Sequence, residues 1–283
     1  MKTISEILDL STTFLSQKGF DRSRREAEEL LSLVLKLPRI ELYLQFDRLL
    51  DPVELDLLRL FLKKRSQKMP WQYIVGTVQF LKIELEVTPD VLIPRQETEF
   101  LAEKVIEAIG EESLTVWDIC SGSGCLGISI KHQRPDCSVI LSDISLEAVE
   151  LAKKNAAKND VHVDIWHGDL LEAFQGLKAD IIVCNPPYIS EQDYHSLELE
   201  VKQWEPKLAL VGGETGYEFY EKLAKTLAPH LYKTGSLYLE IGTGMGEHIK
   251  TVFLSHGWKF VEVFKDYASH DRFVKVSGHA ANA

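Results

Sequence analysis

At 283 residues the chain exceeds one small domain and has room for a full core, in one large domain or in a large plus a small one. Hydrophobic residues at 45% and charged residues at 27% exclude a chain that is disordered in bulk. A formal net charge of -11 speaks against a protein whose main task is gripping phosphate backbones, since that affinity comes from clustered Lys and Arg, and it favours a protein or small-molecule partner.

From Ser5 to about Lys68 apolar residues recur at helical spacing: Ile4, Ile7 and Leu8, then Ala27, Leu30, Leu31 and Val34, then Leu55, Leu58 and Phe61. The pattern predicts a small helical bundle over 1–70. Gly19 would end its first helix, Asp21 or Ser23 cap the second, and Asp51-Pro52 open a later one. Between Pro70 and Pro89 the period falls to two, with Tyr73, Val75 and Thr77 before Phe80-Leu81 and Ile83, Leu85 and Val87 after it, which predicts a hairpin linker over 71–90. From Val91 short β-branched strands alternate with helical stretches, the pattern of an α/β domain on a largely parallel sheet, over 91–278. Its strands are expected at Thr115–Ile119, Ser138–Leu141, Val161–Trp166, Asp180–Cys184, Ser236–Ile241, Trp258–Phe264 and Arg272–Val276. Residues 279–283 are expected to form a disordered tail.

The first strand of that domain runs into Cys120-Ser121-Gly122-Ser123-Gly124 and then an apolar helix. A small-residue turn at the carboxyl end of a first strand is where open α/β sheets bind nucleotides, and Gly122 and Gly124 allow close backbone approach. Alone, the turn is weak evidence. The second strand ends at Asp143, roughly 20 residues on, where this fold class places a carboxylate that accepts from ribose hydroxyls. The alternative is that Asp143 only caps the following helix. Gly122, Gly124 and Gly127 stand at the spacing of G-x-G-x-x-G, a weak signal by itself, and no Walker lysine follows the turn, which disfavours an ATP site. After the third strand, Asp169 suits an adenine amine and Leu170 the face of the ring, leaving a non-phosphorylated adenosine cofactor as the best fit.

The fourth strand stops at Asn185-Pro186-Pro187-Tyr188, the most specific motif in the chain. The prolines fix the backbone and remove two donors, leaving carbonyl acceptors beside the Asn185 carboxamide. A planar NH2 could donate to Asn185 and to the Pro186 carbonyl while Tyr188 stacks over it. Such a nitrogen is a poor nucleophile because its lone pair is delocalised, so orientation, which can supply up to ~7–11 kcal/mol, matters more than any one hydrogen bond at ~1 kcal/mol. Pro-Pro could instead merely end a strand, with Tyr188 covering the core.

These residues resemble the HemK/PrmC family of peptide chain release factor glutamine methyltransferases. The resemblance spans nearly the whole chain, through Val91-Leu92-Ile93-Pro94-Arg95-Gln96-Glu97-Thr98-Glu99, the turn from Asp118 to Gly124, Asn185-Pro186-Pro187-Tyr188-Ile189, Trp204-Glu205-Pro206 and Leu208-Ala209-Leu210. It implies a Rossmann-like, seven-stranded methyltransferase sheet with one antiparallel strand, preceded by a helical bundle that helps engage the release factor. It implies S-adenosyl-L-methionine as donor, held by Cys120–Gly124, Asp143, Asp169, Leu170 and Asn185, and S-adenosyl-L-homocysteine as product. The acceptor would be N5 of the glutamine in the Gly-Gly-Gln motif of class I release factors, held by Asn185, Pro186, Pro187 and Tyr188, with Asn185, Pro186 and Tyr188 the catalytic set. Gln96 stands where the family usually has proline, and Cys120 where many members have the first glycine of the turn.

Asn-Pro-Pro-Tyr is shared with DNA adenine methyltransferases, so an adenine-N6 methyltransferase acting on DNA or RNA is the alternative; a binding protein keeping this fold as a scaffold is a third reading. Arg95, Thr98 and Glu99 either cover the donor or anchor the hairpin. The four cysteines lack zinc or disulfide spacing, and the nine histidines are dispersed, so no metal and no histidine catalysis are expected. No run reaches membrane-spanning length and the N-terminus lacks a secretion signal. The expectation is a soluble, cytoplasmic monomer that binds neither membrane nor, directly, nucleic acid.

Overall fold

Capping boxes open two of the N-terminal helices. In the computed structural model, which describes residues 2–266 and 268–280, the Thr3 hydroxyl accepts from the Glu6 N–H and the Glu6 carboxylate from the Thr3 N–H at the head of α1 (Ile4–Gln17). Helix α2 (Ser23–Leu35) has no side-chain cap: Arg22 occupies the position, so neither Asp21 nor Ser23 plays the expected role. Burial of Ala27, Leu30, Leu31, Val34 and Leu35 carries α2 instead. After α3 (Arg39–Leu44), Asp51 and Glu54 repeat the capping box on α4 (Pro52–Ser66), with Pro52 in the first turn. The buried Glu28 of α2 accepts from Arg24, Arg39 and Tyr43.

Residues 71–75 correct the expected hairpin. They form a short helix, α5 (Trp71–Val75), because the Pro70 carbonyl accepts from the N–H groups of Tyr73 and Ile74 and these adjacent side chains are both buried. The chain divides into two compact units at this point, Met1–Val75 and Gly76–Ala283. Gly76, at φ 83°, begins the second. The hairpin itself is β1 (Thr77–Phe80) and β2 (Ile83–Glu86), antiparallel.

The rest of the second unit runs α6 (Gln96–Ile109), β3 (Thr115–Ile119), α7 (Cys125–Gln133), β4 (Ser138–Asp143), α8 (Leu146–Lys158), β5 (Asp164–His167), β6 (Ala179–Cys184), β7 (Ile189–Ser190), α9 (Glu191–Tyr194), α10 (Leu199–Trp204), α11 (Lys207–Leu210), β8 (Val211–Gly213), α12 (Glu218–Thr226), β9 (Leu231–Glu240), α13 (Gly246–Ser255), β10 (Trp258–Lys265) and β11 (Asp271–His279). Seven strands form one sheet in the order β10-β11-β9-β6-β3-β4-β5. β11 runs antiparallel to β10 and β9; the other neighbours are parallel.

Strand alternation sorts the core into two layers. Trp117, Ile119, Ile182, Cys184, Leu237 and Leu239 pack on one face with Tyr220, Leu223 and Phe253, while Val116, Ile181, Val183 and Tyr238 pack on the other with Leu101, Val105, Leu126 and Ala152. Several strand limits differ from expectation: β4 runs on to Asp143 and β9 begins already at Leu231. Val161 lies just past the end of α8, its N–H bonded back to the Ala156 carbonyl, so β5 begins only at Asp164. At the C-terminus β11 continues through His279, and the Ala280 N–H donates to Gly257, so the expected tail is ordered to that residue; 281–283 lie outside the described residues. No helix among the described residues is long and apolar enough to cross a membrane.

Candidate active site

The carboxyl ends of β3, β4 and β6, together with the loop after β5, converge on one cavity. Counting its open mouth it encloses about 970 Å³, the scale of a small-molecule site. Cys120, Ser121, Gly122, Ser123, Asp143, Asp169, Leu170, Asn185 and Pro187 line it. Gly124, Pro186 and Tyr188 do not appear in its lining. Gly124 instead starts α7 at φ 82°, where a Cβ would lie 2.6 Å from Ile128 Cδ1. The Tyr188 ring packs on the core near Gly242, and burial pushes its phenol up to about 12.

Asp143 organises the donor turn. One carboxylate oxygen accepts from the Gly122 N–H at 2.8 Å and the other from the Ser145 N–H at 2.9 Å. The helix cap is Ser145, whose hydroxyl accepts from Ala148. Burial raises the Asp143 carboxyl, opposed by these backbone donors. Two oxygens offer about four lone-pair sites, so two remain for a ligand. Cys120, standing where the family resemblance expects glycine, adopts φ 58°, the left-handed backbone that glycine favours. A Cβ on Gly122 would meet nothing within 4 Å, and the buried Ser121 hydroxyl has no protein partner among the described residues. These features fit a polar, adenosine-bearing ligand lying against the turn.

Behind the turn, the buried Asp118 accepts from the Gly127 N–H at 2.8 Å, and burial lifts its carboxyl to about 7. Asn155 ties the turn to the hairpin: its Nδ2 donates to the carbonyls of Ser123 and Glu86, and its Oδ1 accepts from the Glu86 N–H. One helical turn on, Asn159 brackets Glu84 in the same manner. Asp169 pairs with Lys222, so any ligand amine it receives shares the carboxylate with an ammonium. Leu170, at φ 49°, belongs to the core while also lining the cavity.

On the acceptor side, Asn185 donates from Nδ2 to the Thr98 hydroxyl at 3.4 Å, and Thr98 donates to Glu240 Oε2 at 2.7 Å. The following backbone is clasped: a Cβ on Gly212 would lie 2.4 Å from the Pro187 carbonyl oxygen, and one on Gly216 2.4 Å from that of Tyr188. Over the cavity, Glu205 accepts from the Ile93 N–H at 3.2 Å and pairs with Arg95, joining two cavity-lining segments, one carrying Leu92 and Pro94, the other Pro206 and Leu208. Glu99 accepts from the Leu81 N–H in the hairpin turn. Thus Glu99 anchors the hairpin, Arg95 joins the cavity cover and Thr98 reaches Asn185. Among the described residues no group of three or more His, Cys, Asp or Glu is placed to hold a metal ion.

Comparison with known proteins decides the family. The chain matches the PrmC N-terminal domain over residues 6–76 and the methyltransferase small domain over residues 96–201. It is 40% identical over 282 residues to the release factor glutamine methyltransferase of Chlamydia trachomatis serovar D, spanning 99% of this chain and 96% of that one. The same-named proteins of Geobacter sulfurreducens (36% over 272 residues, 96% and 95% coverage) and Aquifex aeolicus (35% over 279 residues, 97% and 98%) agree. The chain belongs to the release factor glutamine methyltransferase family. Solved structures share its fold: a methyltransferase from Pyrococcus furiosus superimposes with a TM-score of 0.53 at 18% identity, covering 70% of this chain and 90% of that one. The T. thermophilus 16S rRNA methyltransferase RsmC, solved with AdoMet and guanosine, gives 0.51 at 18% identity, covering 72% and 50%.

Sequence reasoning missed Glu240 and Asn155 in this family member and left Thr98 and Arg95 without roles. Glu240 carried one signal, an acid directly after the apolar run Leu237-Tyr238-Leu239. Asn155 carried only its helical spacing from Asn159.

Proposed function

We propose that the chain transfers a methyl group from S-adenosyl-L-methionine to N5 of the glutamine in the Gly-Gly-Gln motif of class I peptide chain release factors, releasing S-adenosyl-L-homocysteine. The observation that carries this is one cavity lined by both the Asp143-bound turn and Asn185, in a chain 35–40% identical to release factor glutamine methyltransferases. The donor supplies an electrophilic methyl on a sulfonium. Every other requirement falls to the protein: Asp143 accepts from the ribose hydroxyls, Cys120 to Ser123 form the floor, and Asp169 and Leu170 receive the adenine. Asn185 Oδ1 accepts one hydrogen of the glutamine amide and the Pro186 carbonyl the other, which aims the nitrogen lone pair. Tyr188, packed on the core, holds that loop and borders the acceptor. Correct placement of this kind can lower a barrier by up to ~7–11 kcal/mol, so no strong base is required. The helical unit Met1–Val75 engages the release factor.

The test is transfer of labelled methyl to a purified release factor, to its Gly-Gly-Gln to Gly-Gly-Ala variant, and to unmethylated DNA. Label on the intact release factor alone supports the proposal. Label on the variant as well, or on DNA instead, would reassign the acceptor.

A further inference from the structure

The side chains behind Asn185 form a chain with a direction. β6 and β9 are parallel neighbours with Cys184 opposite Leu239, so Asn185 and Glu240 follow side by side at the sheet's carboxyl edge. Alternation turns both away from the layer holding Cys184 and Leu239 and towards α6, whose first turn supplies Thr98. Thr98 and Glu240 are both buried, each 2% exposed. An ionised carboxylate can only accept, so the Thr98 proton is committed to Glu240. The Thr98 oxygen can then only accept, and Asn185 must turn its NH2 inward.

We propose that Thr98 and Glu240 are positioning residues that fix the orientation of the Asn185 carboxamide, Nδ2 inward and Oδ1 towards the cavity, so that Asn185 meets its substrate as an acceptor. The inference rests on the acceptor assigned above. A carboxamide is nearly symmetric in shape, and packing alone distinguishes its two ends poorly. Only the polarity of its partners selects one. If Glu240 becomes a donor, the Thr98 hydroxyl can turn towards Asn185 Oδ1, and the carboxamide flips to present an NH2 to the substrate's own NH2.

Groups around Glu240 make this polarity sensitive to pH. Burial raises its carboxyl to about 7, opposed by the hydrogen bonds from Thr98 and Asn185 and by the charge of Arg272, while Glu97 pushes it further up. Arg272, on β11, is itself bonded to Asp266. Tyr220 of α12 donates to the Glu240 backbone carbonyl, and Tyr188 lies near enough for the Glu240 charge to raise its phenol.

The experiment compares wild type with E240Q, T98V and T98S. E240Q and T98V should lower kcat about 10–100-fold, the scale of a misplaced reactant, with KM for the release factor and affinity for S-adenosylhomocysteine within about threefold. T98S, which keeps the hydroxyl, should recover most of what T98V loses. Wild-type kcat should fall as pH drops below about 7, and E240Q should lack that limb. A merely structural Glu240 would lower the melting temperature when replaced; here E240Q should leave it unchanged or raise it, since a buried charge is removed. Side-chain amide exchange of Asn185, followed by NMR, needs no substrate: it should be slow in wild type and at least about tenfold faster in E240Q, where the NH2 faces solvent. Turnover of E240Q within twofold of wild type, or identical Asn185 exchange in both, overturns the inference. Wild type that labels no release factor would sink the proposed activity while the exchange comparison still decides this point.

Discussion

Asp143 offers the sharpest quantitative test of the donor site. Its oxygens already accept from Gly122 and Ser145 at 2.8 and 2.9 Å, and the remaining lone pairs are assigned to the two ribose hydroxyls. Replacing Asp143 with Asn converts one oxygen to an NH2, which cannot accept, so one ribose hydroxyl loses its partner. A hydrogen bond to a charged group contributes about 1.5–3 kcal/mol, so S-adenosylhomocysteine should bind about 10–150-fold more weakly to D143N by titration calorimetry. The same substitution sets an NH2 against a backbone N–H and could loosen the turn, so affinity alone does not isolate the contact. A 2′-deoxy ligand does. Wild type should lose about 1.5–3 kcal/mol on removal of that hydroxyl, whereas D143N should lose distinctly less, because a double-mutant cycle reports only the shared interaction. D143N binding within threefold of wild type, or an equal deoxy penalty on both proteins, would refute the ribose assignment and leave Asp143 as an anchor of the turn.

Replacing Asn185 with Ala should lower kcat by roughly 100-fold or more while S-adenosylhomocysteine affinity changes by less than about threefold; steady-state methylation with calorimetry checks both, and unchanged turnover would remove Asn185 from catalysis. Gly127 lies in α7 with an added Cβ placed 2.7 Å from Leu141 Cδ1 and 3.0 Å from Asp118 Cβ, so G127A should destabilise by about 1–3 kcal/mol in urea despite its ~1 kcal/mol helix-propensity gain. A rise in midpoint would mean that Leu141 yields freely. Stability should also decline between about pH 4 and 7. Asp118 and Glu240 hold their protons to about 7 when folded but release them near 4 when unfolded, so their contribution is complete at low pH and lost as pH rises through 7. The ceiling is about 4 kcal/mol for each group, at about 1.4 kcal/mol per decade of pH, and D118N with E240Q should flatten the slope. Glu28 acts oppositely: burial raises it, but bonds from Tyr43, Arg39 and Arg24 outweigh that and lower it, so its contribution vanishes as pH falls below the carboxylate range.

Much of the molecule was legible in one dimension because the determinants were local. Short, nearly continuous apolar runs at Val116–Ile119 and Ile181–Cys184 mark strands with two buried faces, and the residues closing β3, β4 and β6 supply the turn, Asp143 and Asn185 at one sheet edge. The capping box at Asp51 and Glu54 is likewise a contact over three residues. Where competing local signals were finely balanced, periodicity misled: Tyr73 and Val75 suit a strand by spacing, yet Pro70 and burial of adjacent side chains made a helix.

Fold class, the order of strands and helices, and the place of the Asn-Pro-Pro-Tyr segment at the end of β6 were thus determined by the sequence alone, since each follows from the periodicity or conformational limits of neighbouring residues. Tertiary structure decided which side chains stand behind them. Thr98 meets Glu240 across 142 positions, Arg95 meets Glu205 across 110, and Asn155 reaches Glu86 across 69. No local rule connects such residues; β6 and β9 become neighbours, with Asn185 set beside Glu240, only once sheet order and register are established.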